Sequence, residues 1–245
     1  MKIKMFKSTG FIFLVFLFGL TVASAQQKEI PSGNNSQDSA RLKLELIGLR
    51  DDFIGKIKAM GYTPGLKPPE ILLDNPRSFG NYNIDSNVLH TGYWPTLQPG
   101  LKAMFNAIVS RIGNGMTGEV YFNLSVHQWV FIHELGHWWR ACQHQTALPY
   151  ANELAANRID VAYWREKDSS YAHFAQSRFE DNLKIIPNPV PAGQDKETYL
   201  NENYEKLPGG PAYSWYQSTM VVDAFKEKPE PTFKQEIERA GNPAK

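Results

Sequence analysis

The chain has 245 residues, 42% of them hydrophobic and 21% charged, which is enough apolar material for one domain with a sizeable core and excludes disorder throughout. Lys and Arg number 26 against 25 Asp and Glu, a balance without the basic footprint of a nucleic-acid binder. The single cysteine, Cys142, rules out an internal disulfide and every multi-cysteine zinc ribbon, so a metal site here has to use histidines and carboxylates; the thiol itself reads as packing.

Residues 1–25 read as a secretory signal peptide. Lys2, Lys4 and Lys7 precede an apolar run from Phe11 to Ala23, and Ala23-Ser24-Ala25 fits the small-x-small cleavage pattern. The run is shorter than the roughly 20 residues that span a bilayer. Export to the periplasm or beyond is expected, with no membrane association after cleavage. Residues 26–40 are polar and aperiodic, the pattern of a disordered leader. Residues 41–245 are expected to form a single domain.

Within that domain, Leu42, Leu46, Leu49, Phe53, Ile54 and Ile57 recur at helical spacing and Gly61 follows as a C-cap. Short strands are predicted at Ile71-Leu72-Leu73 and Val88-Leu89-His90. A helix is predicted from Pro99 to Ile112, stopped by Gly113-Asn114-Gly115. Glu119 to Asn123 has strand composition, and Ser125 is placed to cap a helix running to about Cys142. Further helices are predicted from Tyr150 to about Glu166, Ser169 to Ile186, and Ala212 to Lys226. The proline-rich stretch from Pro187 to Pro211 is either a surface loop or a rim over a site. Few strands and several long helices predict an α+β, helix-dominated fold.

The chemistry concentrates in Val130 to Trp139, an H-E-x-x-H sequence in an apolar helical frame. Residues four apart share a helix face, so His133 and His137 can converge on one ion, and Glu134 stands beside it as a candidate general base. Such spacing arises by chance roughly once in a hundred chains of this length, so context has to decide. A catalytic zinc takes three protein ligands, and His144 comes at the wrong distance, because Arg140 and Gln143 stand where a longer motif needs Gly and His. Glu153, at the start of the next helix, is the better third ligand. Either Asn157 or Asp160 is suited to hold the far nitrogen of a liganding histidine. Tyr213 or Tyr216 is the candidate donor to a developing oxyanion, with His173 and His144 as alternatives.

Glu119 to Asp160, about 40 residues, resembles the gluzincin metallopeptidases, the thermolysin-like group whose third zinc ligand is a downstream glutamate. The resemblance implies a zincin-like fold with a small N-terminal sheet and an active-site helix, one Zn²⁺ per chain on His133, His137 and Glu153, and Glu134 as general base. It also implies that an edge strand upstream of the active helix binds extended peptide, a place occupied by Val120, Tyr121, Phe122 and Asn123. The chain departs from that family by carrying Asn157 where it has Asp, and by a shorter spacing to Glu153.

The expected function is an exported zinc-dependent hydrolase, foremost a peptidase, acting on peptide or protein and not on nucleic acid. The competing expectation is a binding or scaffolding protein that keeps the site for a structural metal or as a relic; a hydrolase of another bond, such as a cell-wall amide, is the third. Neither specificity nor oligomeric state leaves a readable trace.

Overall fold

A long amphipathic helix begins the ordered core: α1 spans Asn35–Ala59, and Leu46, Phe53, Ile54 and Ile57 along one stripe are buried. It starts inside the segment expected to be disordered, because Gln37 to Ala40 carry the helical register toward Leu42 without a breaker. Gly61, at φ +91°, closes the turn beyond it as predicted. The computed structural model describes residues 35–241, apart from Arg77, Asn114, Pro208 and Gly209, so the expected signal peptide and the first part of the leader lie outside the described residues.

Three short strands follow: β1 (Glu70–Leu73), β2 (Gly80–Asn83) and β3 (Val88–Thr91), in the order β1-β3-β2. β3 runs parallel to β1 and antiparallel to β2, which is an edge strand. Gly80 faces Thr91 and Tyr82 faces Leu89, while Gly92 donates to the Phe79 carbonyl. This alternation pairs Phe79, Asn81 and Asn83 with β3 and turns the backbone groups of Gly80 and Tyr82 away from it, toward α4, where the Gly80 carbonyl accepts from the Ser78 hydroxyl. Gly80 has to be glycine: a Cβ there would lie 2.4 Å from Val130 Cγ1 on the neighbouring helix.

Helices make up the rest. α2 (Pro99–Ile112) opens on proline and ends on Gly113 in the left-handed region, as expected from sequence. α3 (Gly118–Phe122) passes without interruption into a π-helical segment, Asn123–Val130, and then into α4 (Phe131–Cys142). The strand expected at Glu119–Asn123 is therefore helix, and Ser125 lies within a helical run rather than at its start. The reason is local. The Thr117 side chain accepts from the Val120 amide as an N-cap, and Tyr121 and Phe122 are buried together, which a strand would send to opposite faces.

α5 (Pro149–Lys167), α6 (Ser169–Ile185) and α8 (Pro211–Lys226) match the predicted helices to within a residue or two, the first and last opening on proline and α6 capped by the Asp168 side chain. α7 (Lys196–Asn203), capped by Asp195, and α9 (Phe233–Gly241) were not foreseen. The fold is helix-dominated with a small sheet, and none of the described helices is long and apolar enough to cross a membrane.

The largest core cluster lies between α1, α4, α5, α6, α8 and α9, and includes Trp138, Trp139, Tyr163 and Phe233. A second, aromatic cluster of Phe79, Phe105, Tyr121 and Phe122 joins α2 and α3 to the sheet. α4 and α5 meet at Gly136, where an added Cβ would stand 3.1 Å from Ala156 Cα and 3.3 Å from its Cβ. Two small residues thus let the helix bearing both histidines approach the helix bearing Glu153. Gly136→Val is expected to cost about 1–3 kcal/mol by forcing these helices apart. Urea unfolding alongside a zinc competition assay reads both consequences, and undiminished stability and affinity would mean that this contact does not set the spacing.

Candidate metal centre

α4 is buried on nearly every side, which is why its polar residues have to satisfy one another. His133 and His137 lie one turn apart, and their Nε2 atoms are 3.0 Å from each other. Glu153, in the second turn of α5, brings Oε2 to 3.2 Å from His133 Nε2 and 3.7 Å from His137 Nε2. His133 and Glu153 are each 1% exposed and His137 8%, so the three groups form a buried donor set able to hold a metal ion. Two imidazole nitrogens and one carboxylate oxygen are the ligand chemistry of a borderline divalent cation such as zinc, and the residues fit such a group. Burial pushes the Glu153 carboxyl up, but the His137 and His133 imidazoles together hold it well below the usual carboxylate range.

Glu134 is fully buried beside this set. The Tyr82 amide of β2 donates to its Oε2 at 2.8 Å, and its Oε1 has no hydrogen-bond partner. Burial raises its pKa to about 7; His133 and the Tyr82 N–H oppose the rise and the charge of Glu153 adds to it.

Other side chains orient the donors. His133 Nδ1 lies 3.0 Å from Asn157 Oδ1, so of the two predicted orienting residues the structure selects Asn157. Asp160 is fully buried one turn on, but neither of its oxygens has a hydrogen-bond partner. At His137 the direction is reversed: Asn152 accepts from Arg140 Nε through its oxygen and turns Nδ2 to His137 Nδ1, 3.2 Å away, so Nδ1 accepts and a neutral ring carries on Nε2 a proton that a metal would have to displace. Tyr204 donates its hydroxyl to Glu153 Oε1 at 2.7 Å, and Gln217 Nε2 donates to Oε2 at 2.9 Å.

The two candidate tyrosines separate. Tyr213 is buried against Val130 and Tyr204, its ring 6.1 Å from that of Tyr204, and its hydroxyl closes no hydrogen bond. Burial, then the negative charge of Glu153, raises its pKa well above the usual value. Tyr216 instead donates to the Lys196 carbonyl and packs with Tyr150, Leu200 and Met220, because Tyr213, Gln217 and Met220 occupy the face of α8 turned to the site. Tyr216 is therefore corrected to a packing residue. His173 binds the Ser169 carbonyl on an exposed face, and His144 is exposed beyond α4. Cys142 is buried, its thiol pushed up to about 11 by that burial, in keeping with packing.

Val120 to Asn123 do not form the expected peptide-binding strand; Val120 faces solvent and Tyr121 and Phe122 fill the aromatic cluster. β2 is the strand that lies against α4. Sequence reasoning also missed Tyr82, Tyr204, Asn152 and Gln217. Of these only Gln217 left a signal, as an amide one turn from Tyr213 on the same helix. The proline-rich connection holds α7 and brings Tyr204 to Glu153. Comparison with protein-family models, with curated proteins and with solved structures gave no match to this chain.

Proposed function

We propose that the protein is an exported zinc-dependent hydrolase of the gluzincin kind, with a zincin-like fold, that cleaves peptide bonds. The observation that carries this reading is the convergence of His133, His137 and Glu153 next to a buried carboxylate, Glu134, with one free oxygen. A purely structural metal site has no use for that second carboxyl group, whose burial is costly.

Zinc held by His133, His137 and Glu153 supplies Lewis acidity that polarises a carbonyl and lowers the pKa of water toward ~7. The remaining work falls to the chain. Glu134 Oε1 takes a proton from the attacking water and returns it to the leaving amine. Tyr213, with its unengaged hydroxyl, donates to the carbonyl oxygen as negative charge builds there. The Tyr82 amide of β2 holds Glu134 in place beside the donor set.

A second reading, a binding protein with a structural metal, draws on the nearly complete burial of the donor set, which suits a closed site. Elemental analysis of residues 26–245, purified without added metal and then titrated with zinc, tests what the two readings share. About one zinc per chain is expected; none, even after titration, sinks both. Cleavage of a peptide library by the loaded protein separates them.

A further inference from the structure

The hydrogen bonds behind the donor set have only one consistent direction, and it can be followed from Glu153. A carboxylate only accepts, so Gln217 has to present its NH₂ group to Glu153 Oε2, 2.9 Å away. Gln217 Oε1 then faces Asn157 at 2.7 Å and needs a donor, which is Asn157 Nδ2. That leaves Asn157 Oδ1 toward His133 Nδ1, 3.0 Å away, and this pair requires the proton on Nδ1. In the neutral ring the lone pair is then on His133 Nε2, the atom 3.2 Å from Glu153 Oε2, where it and the carboxylate oxygen would share a metal ion rather than bond each other. The four residues close a ring, and all are buried.

We propose that Gln217 is a positioning residue for the metal centre, and that its presence favours Asn over Asp at residue 157. The inference rests on the metal-hydrolase reading above. An aspartate at 157 accepts well from His133 but has no hydrogen to give Gln217. Either Gln217 Oε1 then meets a carboxylate oxygen of residue 157, or the amide turns over and sets Oε1 against Glu153 Oε2. Both arrangements put two acceptors in contact where the natural ring has a donor and an acceptor. Asn157 and Gln217 thus act as a matched pair, each amide passing the same polarity along. The second contact of Asn157 Nδ2, Met220 Sδ at 3.7 Å, is a weak acceptor.

The matched pair has a signature that packing alone does not produce. If Asn157 acts only through His133, Asn157→Asp tightens zinc binding, since a carboxylate makes the imidazole a better ligand. With the ring in place, Asn157→Asp weakens it, by about tenfold or more. Gln217→Met weakens zinc binding in the natural chain, by about 10–100-fold, yet strengthens it in the Asn157→Asp background, where it removes the opposed acceptor. The experiment is zinc competition against a chromophoric chelator on residues 26–245, for the natural chain, both single variants and the double variant, with folding followed by circular dichroism. The reversal of sign for Gln217→Met between backgrounds is the expected result. Tighter binding by Asn157→Asp, or the same direction for Gln217→Met in both backgrounds, overturns the proposal while leaving the metal site intact. Failure of the natural chain to take up zinc overturns both. Should Asn157→Asp not fold, unchanged affinity in Gln217→Met alone overturns the ring.

Discussion

Replacing Glu134 by Gln is expected to lower turnover by about 10²–10⁴-fold while leaving zinc content unchanged. Gln has nearly the same shape, and its amide oxygen can still accept from the Tyr82 amide, so the link between β2 and α4 persists. What is lost is the ability of Oε1 to hold and release a proton. The substitution also removes an ionisable group that is fully buried, so the fold is expected to tolerate it. Steady-state cleavage of a responsive peptide, with metal analysis of the same sample, gives both quantities. Full activity in Glu134→Gln would remove the general base from the mechanism, and loss of zinc would mean that Glu134 belongs to the donor set.

Asp160→Asn is expected to stabilise the protein at neutral pH, and by less as the pH falls. Asp160 is fully buried with neither oxygen hydrogen-bonded, and burial raises its pKa well above the ordinary value, with the nearby Trp164 indole pulling the other way. The sign follows from linkage. Below the pKa of the unfolded chain, about 3.9, both states are protonated and the residue's ionisation costs nothing. As the pH rises beyond that, the unfolded chain gives up its proton while the folded chain keeps it, and stability drains away until the folded-state pKa is passed. The loss is about 1.4 kcal/mol for each unit between the two pKa values. An asparagine of the same size is exempt. Denaturant unfolding of both proteins at pH 4, 5.5 and 7 should show a gap that widens with pH, and a constant gap would place the effect in packing rather than ionisation.

The parts of this structure that could be read from sequence are those with local causes. Pro99, Pro149 and Pro211 start helices because the missing N–H costs nothing in a first turn, and Gly113 ends one because it alone turns left-handed without strain. His133, Glu134 and His137 were legible because their relation is a helix period. Glu153 was legible because a short turn sets α5 beside α4. What escaped depended on distant partners. Gly80-Asn81-Tyr82-Asn83 has the composition of a turn, and it is a strand because β3 pairs with it and only glycine fits against Val130. Glu119 to Asn123 has strand composition, and the Thr117 cap and the aromatic cluster prevail over it. Tyr204 lies 51 residues from Glu153 and Gln217 lies 64, separations that no periodicity encodes.

The π-helical segment ahead of α4 bears on how the two cores are timed against each other. Its wider turns set the buried pair Val126 and His127 five residues after Tyr121 and Phe122, where an α-helix would use four. Each residue of an α-helix turns the chain by about 100°. The segment therefore works as a phase shifter: it holds the aromatic face upstream and the histidine face downstream at a fixed angular offset within one continuous rod. A single residue removed between Asn123 and Val130 with a return to α-helical winding, four residues to the turn instead of five, is therefore expected to keep His133 and His137 facing Glu153, whereas the same removal with the winding unchanged would turn them out of phase.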